Sequence, residues 1–490
     1  MVPTGWYDLL SASETNAWED GMRARSGSLC TPTGRWRSLT RAVAVGAAAL
    51  LLGTATWAQK PAADDPNAPA LRLIKIIPIN GTAGKPNTQM FSFDISWVDQ
   101  MSGLYYLADR SNAALDVIDT KTDTLFGQIG ANPAFQPGFA GDTGTTATSG
   151  PNGVTASGNC IFATDSPSRV VSFNSSVSFT AMVSSFNTGG TARADELAFD
   201  PHDRLLLVIN NADTPPFGTL INVSTSCVLS APKTIFFTAA NGVDAQNGAE
   251  QPVWDPGTQK FYLAIPQIGS NPQNGGVIRI NTSGVIEKVY PINFCAPSGL
   301  TLGPNEDLLA ECAVFTSSGN QCSTVGAGGG NNATTARALQ SLGAIQPPVC
   351  TGVANPQVAV CNVTPGRDCT GNALVSVPGV GGGDEVWFNS GDGNYYVTAG
   401  NLPAAPALGV VASGATSTPN TLTQLIPTVY AQLQQGIQNT SSFVHSAGTV
   451  HSIAASSANN HVYVPLPANS AYQINGVTCA QGCIAVFSAQ

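Results

Sequence analysis

The sequence predicts an all-β protein: a seven-bladed β-propeller closed by an N-terminal strand placed in its last blade. Three observations carry that expectation. The composition suits turn-rich β structure, one strand–turn–strand pattern recurs seven times, and a spare strand stands ahead of the first copy.

Composition comes first. Of 490 residues, 43% are hydrophobic, only 10% are charged, and 51 are glycine. Such a chain buries a large core and is too apolar to be disordered. The supply of Gly, Asn, Ser and Thr fits short strands joined by tight turns. A net charge of −10 with no basic run argues against nucleic acid or an anionic membrane as partner. A small-molecule substrate or ligand, taken by a monomer, is the expectation that remains.

The repeat is the second observation. "DELAFDPHDRLLLVINNAD" from Asp195 is a short strand, a polar turn and a second apolar strand. The pattern recurs from Asp94 ("DISWVDQMSGLYYLADRSN"), Asn152 ("NGVTASGNCIFATDSPS") and Glu250 ("EQPVWDPGTQKFYLAIPQ"). It returns from Ser298 ("SGLTLGPNEDLLAECAV"), Asp384 ("DEVWFNSGDGNYYVTAG") and His451 ("HSIAASSANNHVYVPLP"). Further strand-like runs follow each copy, as a blade of four antiparallel strands requires. The seventh copy is followed by only one clear strand, "CIAVFSAQ", and "LRLIKIIPI" (Leu71 to Ile79) is the spare one. Placed on the outside of the last blade, it removes the open edge of a broken circle.

The stretch "YYLADRSNAALDVIDTKTDTLFGQIG" resembles a YVTN-type propeller repeat, and the mature chain is similar to that broad superfamily. "EQPVWDPGTQKFYLAI" and "NGVTAS" resemble strand openings in the senescence-marker-protein/gluconolactonase family of metal-dependent lactonases. That resemblance implies Glu250, Asn152 and Asp195 as metal ligands and Asp195 as general base. The order departs from the family, where the Glu belongs to an early blade and the Asn and Asp to later ones. Here the three fall in successive copies, and His451 has no matching ligand there.

Aligning the copies on the first residue of the tight turn exposes a ring. Five positions earlier stand Asp94, Asn152, Asp195, Glu250, Ser298, Asp384 and His451, all polar at the mouth of apolar strands. Glu196 and Glu385 occupy the next position. So many carboxylates in a narrow channel require retained protons or a bound cation. Oxygen ligands from Asp94, Asn152, Asp195, Glu250 and Asp384 suit a divalent cation, Ca²⁺ best, with Mg²⁺ or Mn²⁺ also fitting. His451 admits a transition metal such as Zn²⁺ instead. Asp195, Glu196 and His451 are the candidate catalytic groups. The bland alternative is a wet polar channel whose carboxylates bond to strand-end amides or water.

The long segments lie on the ring's face: 131–150, the Cys-rich insertion at about 315–354, 430–448 with His445 just inside it, and 467–483. The turns of the opposite face are short. His202 and His461 stand in or beside those turns and are expected to be solvated.

Ahead of the propeller, "RWRSLTRAVAVGAAALLLGTATWAQK" has a basic start, an apolar run from Ala42 to Ala55 and small residues before Gln59, the pattern of a secretory signal. An uncleaved anchor is the alternative reading. Residues 1–58 are therefore an N-terminal extension with a signal, and 59–490 the propeller, exported and free of the membrane after cleavage. Without Cys30, the 11 cysteines leave an even set with no zinc-like Cys-x-x-Cys spacing, which favours disulfides in an oxidising compartment. Cys479–Cys483 and Cys361–Cys369 are the expected local pairs. No nucleophile elbow, phosphate loop or haem-attachment motif occurs.

Two functions follow. One is a metal-dependent hydrolase of the lactonase or esterase type at the channel mouth; the other is a non-catalytic propeller binding a ligand or protein on its long-loop face. A lyase or isomerase using His451 as base is a third.

Overall fold

The structure, a computed structural model, describes residues 71–81, 88–130, 135, 137–271, 274–293, 295–304, 307–315, 357–362, 375–378, 380–381, 383–398, 407–413, 421–428 and 449–489. The signal-like segment, the body of the Cys-rich insertion, the segment 430–448 with His445, and the pairing of Cys361 with Cys369 lie outside the described residues. Among the described residues, no helix is long and apolar enough to cross a membrane.

β1 (Leu71–Pro78) opens the described chain. Three antiparallel four-stranded sheets follow it. The first holds β2–β5 (Ser96–Asp99, Leu104–Asp109, Ala114–Asp119, Thr124–Ile129). The second holds β6–β9 (Val154–Ser157, Cys160–Asp165, Arg169–Asn174, Ser178–Asn187). The third holds β10–β13 (Leu197–Asp200, Leu205–Asn210, Phe217–Val223, Leu229–Phe236). Next come β14–β17 (Pro252–Asp255, Lys260–Ile265, Asn274–Asn281, Ile286–Asn293) and β18–β21 (Cys295–Leu302, Asp307–Phe315, Gln357–Asn362, Val375–Pro378). These eight make one sheet, because a parallel bridge from Asn274 to Cys295 joins β16 to β18. β22–β25 (Val386–Asn389, Asn394–Thr398, Ala407–Ala412, Thr421–Pro427) form another four-stranded sheet.

The last sheet runs β26 (Ala454–Ser456), β27 (His461–Leu466), β30 (Cys483–Ala489), β1, with the hairpin of β28 (Asn469–Ile474) and β29 (Val477–Cys479) apart from it. Leu71 pairs with Ala489 and Pro78 with Cys483, antiparallel, so the N-terminal strand lies outermost in the final sheet as expected. The chain is a β-propeller with six blade sheets, where seven separate ones were expected. The fourth and fifth copies share a sheet because one residue separates β17 from β18, which leaves β18 beside β16. Neighbouring inner strands follow the chain, β2, β6, β10, β14, β18, β22 and β26, and β26 lies next to β2. Together they surround a central channel.

The repeated turn has a common chemistry. Asp99, Asp200 and Asp255 each accept hydrogen bonds from the amides two and three residues on, at 2.8–3.3 Å. Asn389 accepts from the amide of Gly391 at 3.1 Å. These side chains substitute for backbone acceptors and fix the turn. The residue four past the turn's start is left-handed in five copies: Gly103 (φ 70°), Arg204 (54°), Gln259 (55°), Gly393 (73°) and Asn460 (58°). Glycine meets that demand without a Cβ penalty at two of them.

Blade faces pack through aromatic and β-branched side chains. Trp97 meets Trp387 edge-on at 5.0 Å between ring centroids, and Tyr105 meets Tyr463 at 5.4 Å. Both pairs belong to a cluster that ties β1 and the last sheet to the sheets on either side. The disulfide Cys160–Cys227 links the second and third sheets. Cys295–Cys312 and the expected Cys479–Cys483 are local.

Candidate functional site: a charged ring at the channel mouth

Asp94, Asn152, Asp195, Glu250 and Asp384 stand two positions ahead of an inner strand, His451 stands three ahead, and Ser298 lies inside β18; four of the amides are tied by backbone bonds to the second strand of their copy. The amide of Asp94 donates to Ala108 O at 2.9 Å, that of Asn152 to Thr164 O at 3.0 Å, that of Asp195 to Ile209 O at 2.7 Å, and that of Glu250 to Ala264 O at 2.9 Å. The backbone thus holds the side chains at one end of the channel. Asp94, Asn152, Asp195 and Glu196 are buried, whereas Glu250, Asp384 and His451 keep partial exposure.

Two arginines enter the ring. Arg110, one residue past β3, donates from Nε to Asn152 Oδ1 at 2.9 Å and pairs through a terminal nitrogen with Asp94 Oδ2. Arg193 pairs with Asp195 Oδ2 at 2.7 Å and donates from Nε to Asn211 Oδ1 at 3.2 Å. Asn211 in turn donates from Nδ2 to Glu250 Oε2 at 3.3 Å. His451 Nε2 lies 3.0 Å from Asp94 Oδ1 and 3.1 Å from Asp384 Oδ2. Carboxylate oxygens are acceptors, so Nε2 carries a proton shared between the two.

The carboxyl groups divide by environment. Burial pushes Glu250 up to about 8, with the nearby charges of Asp384 and Asp195 adding to the effect. Burial, then Asp384 and Glu250, holds Glu196 well above the usual carboxylate range. Burial also raises Asp195, against the opposing pull of Arg193 and Arg110. Desolvation works against Asp384 too, but there His451 and the two guanidinium groups outweigh it and hold the carboxyl below its ordinary value. Burial and the charge of Arg193 lower Arg110 to about 9. Burial disfavours the charge of Arg193, yet Asp195, Glu250 and Asp384 raise it. The ring is therefore balanced by two guanidinium groups and by the Glu250 carboxyl, pushed up to about 8, while burial disfavours the charge of Glu196 and Asp195.

Of the residues expected to act here, the structure brings Asp94, Asp384 and His451 into one group and Glu196, Glu250 and Asp384 into another, with one ligand atom from each within 4.8 Å of the others. Asn152 is committed elsewhere, since Oδ1 accepts from Arg110 and Nδ2 donates to Ala194 O at 2.8 Å. Asp195 faces Arg193, and among the described residues its Oδ1 has no hydrogen-bond partner; neither has Glu196 Oε2.

Glu385, in the same alignment column as Glu196, belongs to the packing between blades. Its Oε2 accepts from the amides of Ser96 (3.1 Å) and Ile453 (3.0 Å) and from the hydroxyls of Ser96 and Ser452. Burial pushes its carboxyl up to about 8. Glycine stands at this position in two other copies because the next blade is close: a Cβ on Gly153 would collide with the Asp195 carbonyl oxygen. Ser298, the ring member of the fifth copy, donates to Gly383 O at 2.9 Å. His461 departs from its expectation of solvation. It is half-buried, with Nδ1 3.0 Å from Asp123 Oδ2, because the last sheet packs against the first. His202 is exposed as expected.

Arg110 and Arg193 are the site residues that sequence reasoning missed. Their signal was present: Arg110 lies just past the second strand of its copy and Arg193 two residues ahead of Asp195, in a protein with only 20 Lys and Arg. The second strand of a copy ends where the first begins, so a cation just past it enters the same ring.

No family model matches the chain, and no curated protein matches it. Solved structures do. The chain is similar to Kuenenia stuttgartiensis Hydrazine Synthase at a TM-score of 0.52 and 10% identity, over 79% of this chain and 95% of that one. It is similar to the RRP9 WD40 repeats at 0.52 and 11%, over 86% and 99%. A chain of the Mitotic Checkpoint Complex matches at 0.50 and 11%, over 91% and 98%. At these identities the likeness speaks for the fold alone, and the fold is a β-propeller.

Proposed function

We propose that the chain is an exported binding protein on a seven-bladed propeller, with the charged ring as its recognition site. The blade count takes the eight-stranded sheet as two blades that share one bridge, and the succession of inner strands around the channel supports it. Export is supported by three disulfides, which persist in oxidising compartments.

The observation that carries the binding reading is the commitment of the ring to itself. A metal-dependent lactonase or esterase needs a cation held by free oxygen ligands and an ionised base beside it. Here Asn152 faces Arg110, Asp195 faces Arg193, and His451 bridges two carboxylates. What stays open is the corner of Glu196, Glu250 and Asp384, where Glu196 Oε2 lacks a partner among the described residues. Three carboxyl groups of this kind suit a hard divalent cation, Ca²⁺ before Mg²⁺ or Mn²⁺, which would displace the retained protons. The cation would be bound as ligand or as a bridge to an anionic ligand.

A second reading, metal-dependent hydrolysis, draws on one feature: Asp195 Oδ1 accepts no hydrogen bond and lies in the same ring as that corner. Metal content of protein purified without chelator, with melting before and after EDTA, tests both. A stoichiometric cation lost in Glu250→Gln, with no turnover of lactones or esters, supports the binding reading. Turnover abolished by Asp195→Asn would replace it with the hydrolase. A metal-free protein indifferent to EDTA and Ca²⁺ would sink the cation in either form.

A further inference from the structure

The opposite end of the channel differs from the charged ring in every respect. There the inner strands run into their short turns, and a cavity of about 410 Å³ opens between six of the copies. Its walls include Trp97, Trp254, Trp387, Phe199 and Phe388. Trp97 and Trp387 are locked edge-on at 5.0 Å, and the Trp97 indole N–H donates to Ala156 O at 3.1 Å, so this wall is rigid before anything binds. Trp254 packs on Phe261 at 4.7 Å.

The polar chemistry of the cavity is one-sided. Asp99 is the one charged residue of the lining, and its two oxygens are taken by the amides of Met101 and Ser102 in its own turn. Gln251, buried at the inner end, accepts from Leu300 N through Oε1 at 2.6 Å. That bond sets the orientation of the amide and leaves Nε2 as the free end. Among the described residues nothing accepts a hydrogen bond from Gln251 Nε2, nor from the indole N–H of Trp254 or Trp387. None of these donors is a buried atom without a partner, so each reaches water in the cavity, and a ligand oxygen would take that water's place.

We infer that this mouth is a second, independent binding site, for an uncharged aromatic small molecule that carries a carbonyl, ether or hydroxyl oxygen. The aromatic walls and lack of free charge select a neutral ring, through stacked or edge-on contacts. The donors at Gln251, Trp254 and Trp387 select an oxygen acceptor. The volume, near the low end of the roughly 300–1,000 Å³ usual for ligand pockets, selects a molecule of one or two rings. Among the described residues of the lining, a phosphate or carboxylate has no cation to meet it.

The test uses the mature chain and prodan, an uncharged two-ring naphthalene with one carbonyl, whose fluorescence shifts to the blue when it leaves water. The expected result is saturable binding at one site per chain, competed by other neutral aromatic carbonyl compounds and not by benzoate. Trp254→Ala should weaken it about tenfold by removing a wall. Ser157→Trp, which fills the rim from a partly exposed turn position, should abolish it while the melt stays near that of the parent. Asp384→Asn, at the other end of the channel, should leave it unchanged. Absence of saturable binding, or binding that survives Ser157→Trp in a folded protein, would overturn the inference, whatever the ring is found to hold.

Discussion

Replacing Arg193 with methionine separates the two ways in which the ring of carboxylates can be neutralised. The substitution keeps an unbranched apolar stem and removes the guanidinium that pairs with Asp195 at 2.7 Å and donates to Asn211 at 3.2 Å. Side-chain exposure at that ion pair is 13% and 4%, so solvent does little to screen it. Breaking a buried pair from one side costs about 3–5 kcal/mol, because the remaining charge is left without compensation. With an unfolding entropy of roughly 2.1 cal/mol/K per residue over the roughly 310 described residues, that loss lowers the melting temperature by about 5–8 °C. The assay is a calorimetric melt of Arg193→Met, Asp195→Asn and the double variant, each with and without EDTA. The double variant should recover more than half of the loss, since it removes the stranded carboxylate with its partner. An Arg193→Met protein as stable as the parent, or a double variant no better than Arg193→Met, would refute neutralisation by arginine. A parent whose melt drops further on EDTA than on Arg193→Met would show that a bound cation carries that role instead.

Three further outcomes are expected. Glu250 and Glu385 have folded pKa values of about 8, raised above those of an unfolded glutamate, so the folded state binds more protons between about pH 4.5 and 8. Stability should therefore fall as pH rises through that window, and melts at pH 5, 6, 7 and 8 should show a decline that Glu385→Gln makes shallower. Replacing both Cys160 and Cys227 by alanine opens a loop spanning 67 residues between the second and third sheets. On loop entropy alone that should cost about 4 kcal/mol in denaturant unfolding. Gly153→Ala drives a methyl into the Asp195 carbonyl oxygen and should destabilise by about 1–3 kcal/mol, read in the same unfolding curves.

The architecture was legible because each blade is short and repeats its local rules. Asp99, Asp200, Asp255 and Asn389 mark turns whose amides they bind, and the apolar runs on either side leave no other period for the strands. The outermost position of β1 followed from counting strands in the last copy. The joining of two sheets did not, because it depends on one residue between β17 and β18 and on a single bridge at Asn274. A strand pattern records which face is buried, and it does not record where two edges meet.

The site was legible in its positions and incomplete in its charges. Alignment on the turn placed Asp94, Asn152, Asp195, Glu250, Asp384 and His451 in one column, and the fold gathers them at one mouth. The column contained only the openings of inner strands, so beside the acids it counted His451 and no arginine. Arg110 and Arg193 reach the same ring from the end of a second strand and from the approach to an inner one, which lie outside that column. An excess of carboxylates in a single alignment column is therefore no measure of charge at a propeller hub. The same reasoning explains why the aromatic cavity went unseen. Trp97, Trp254 and Trp387 each read as one more apolar residue in a short strand, and their convergence exists only when the strands surround a channel. In a propeller, one set of strands thus builds two mouths of opposite character. Polar residues at strand openings face one ring, and large apolar residues three or four positions later line the other, so a ligand at either end would be recognised without disturbing the blades that hold both.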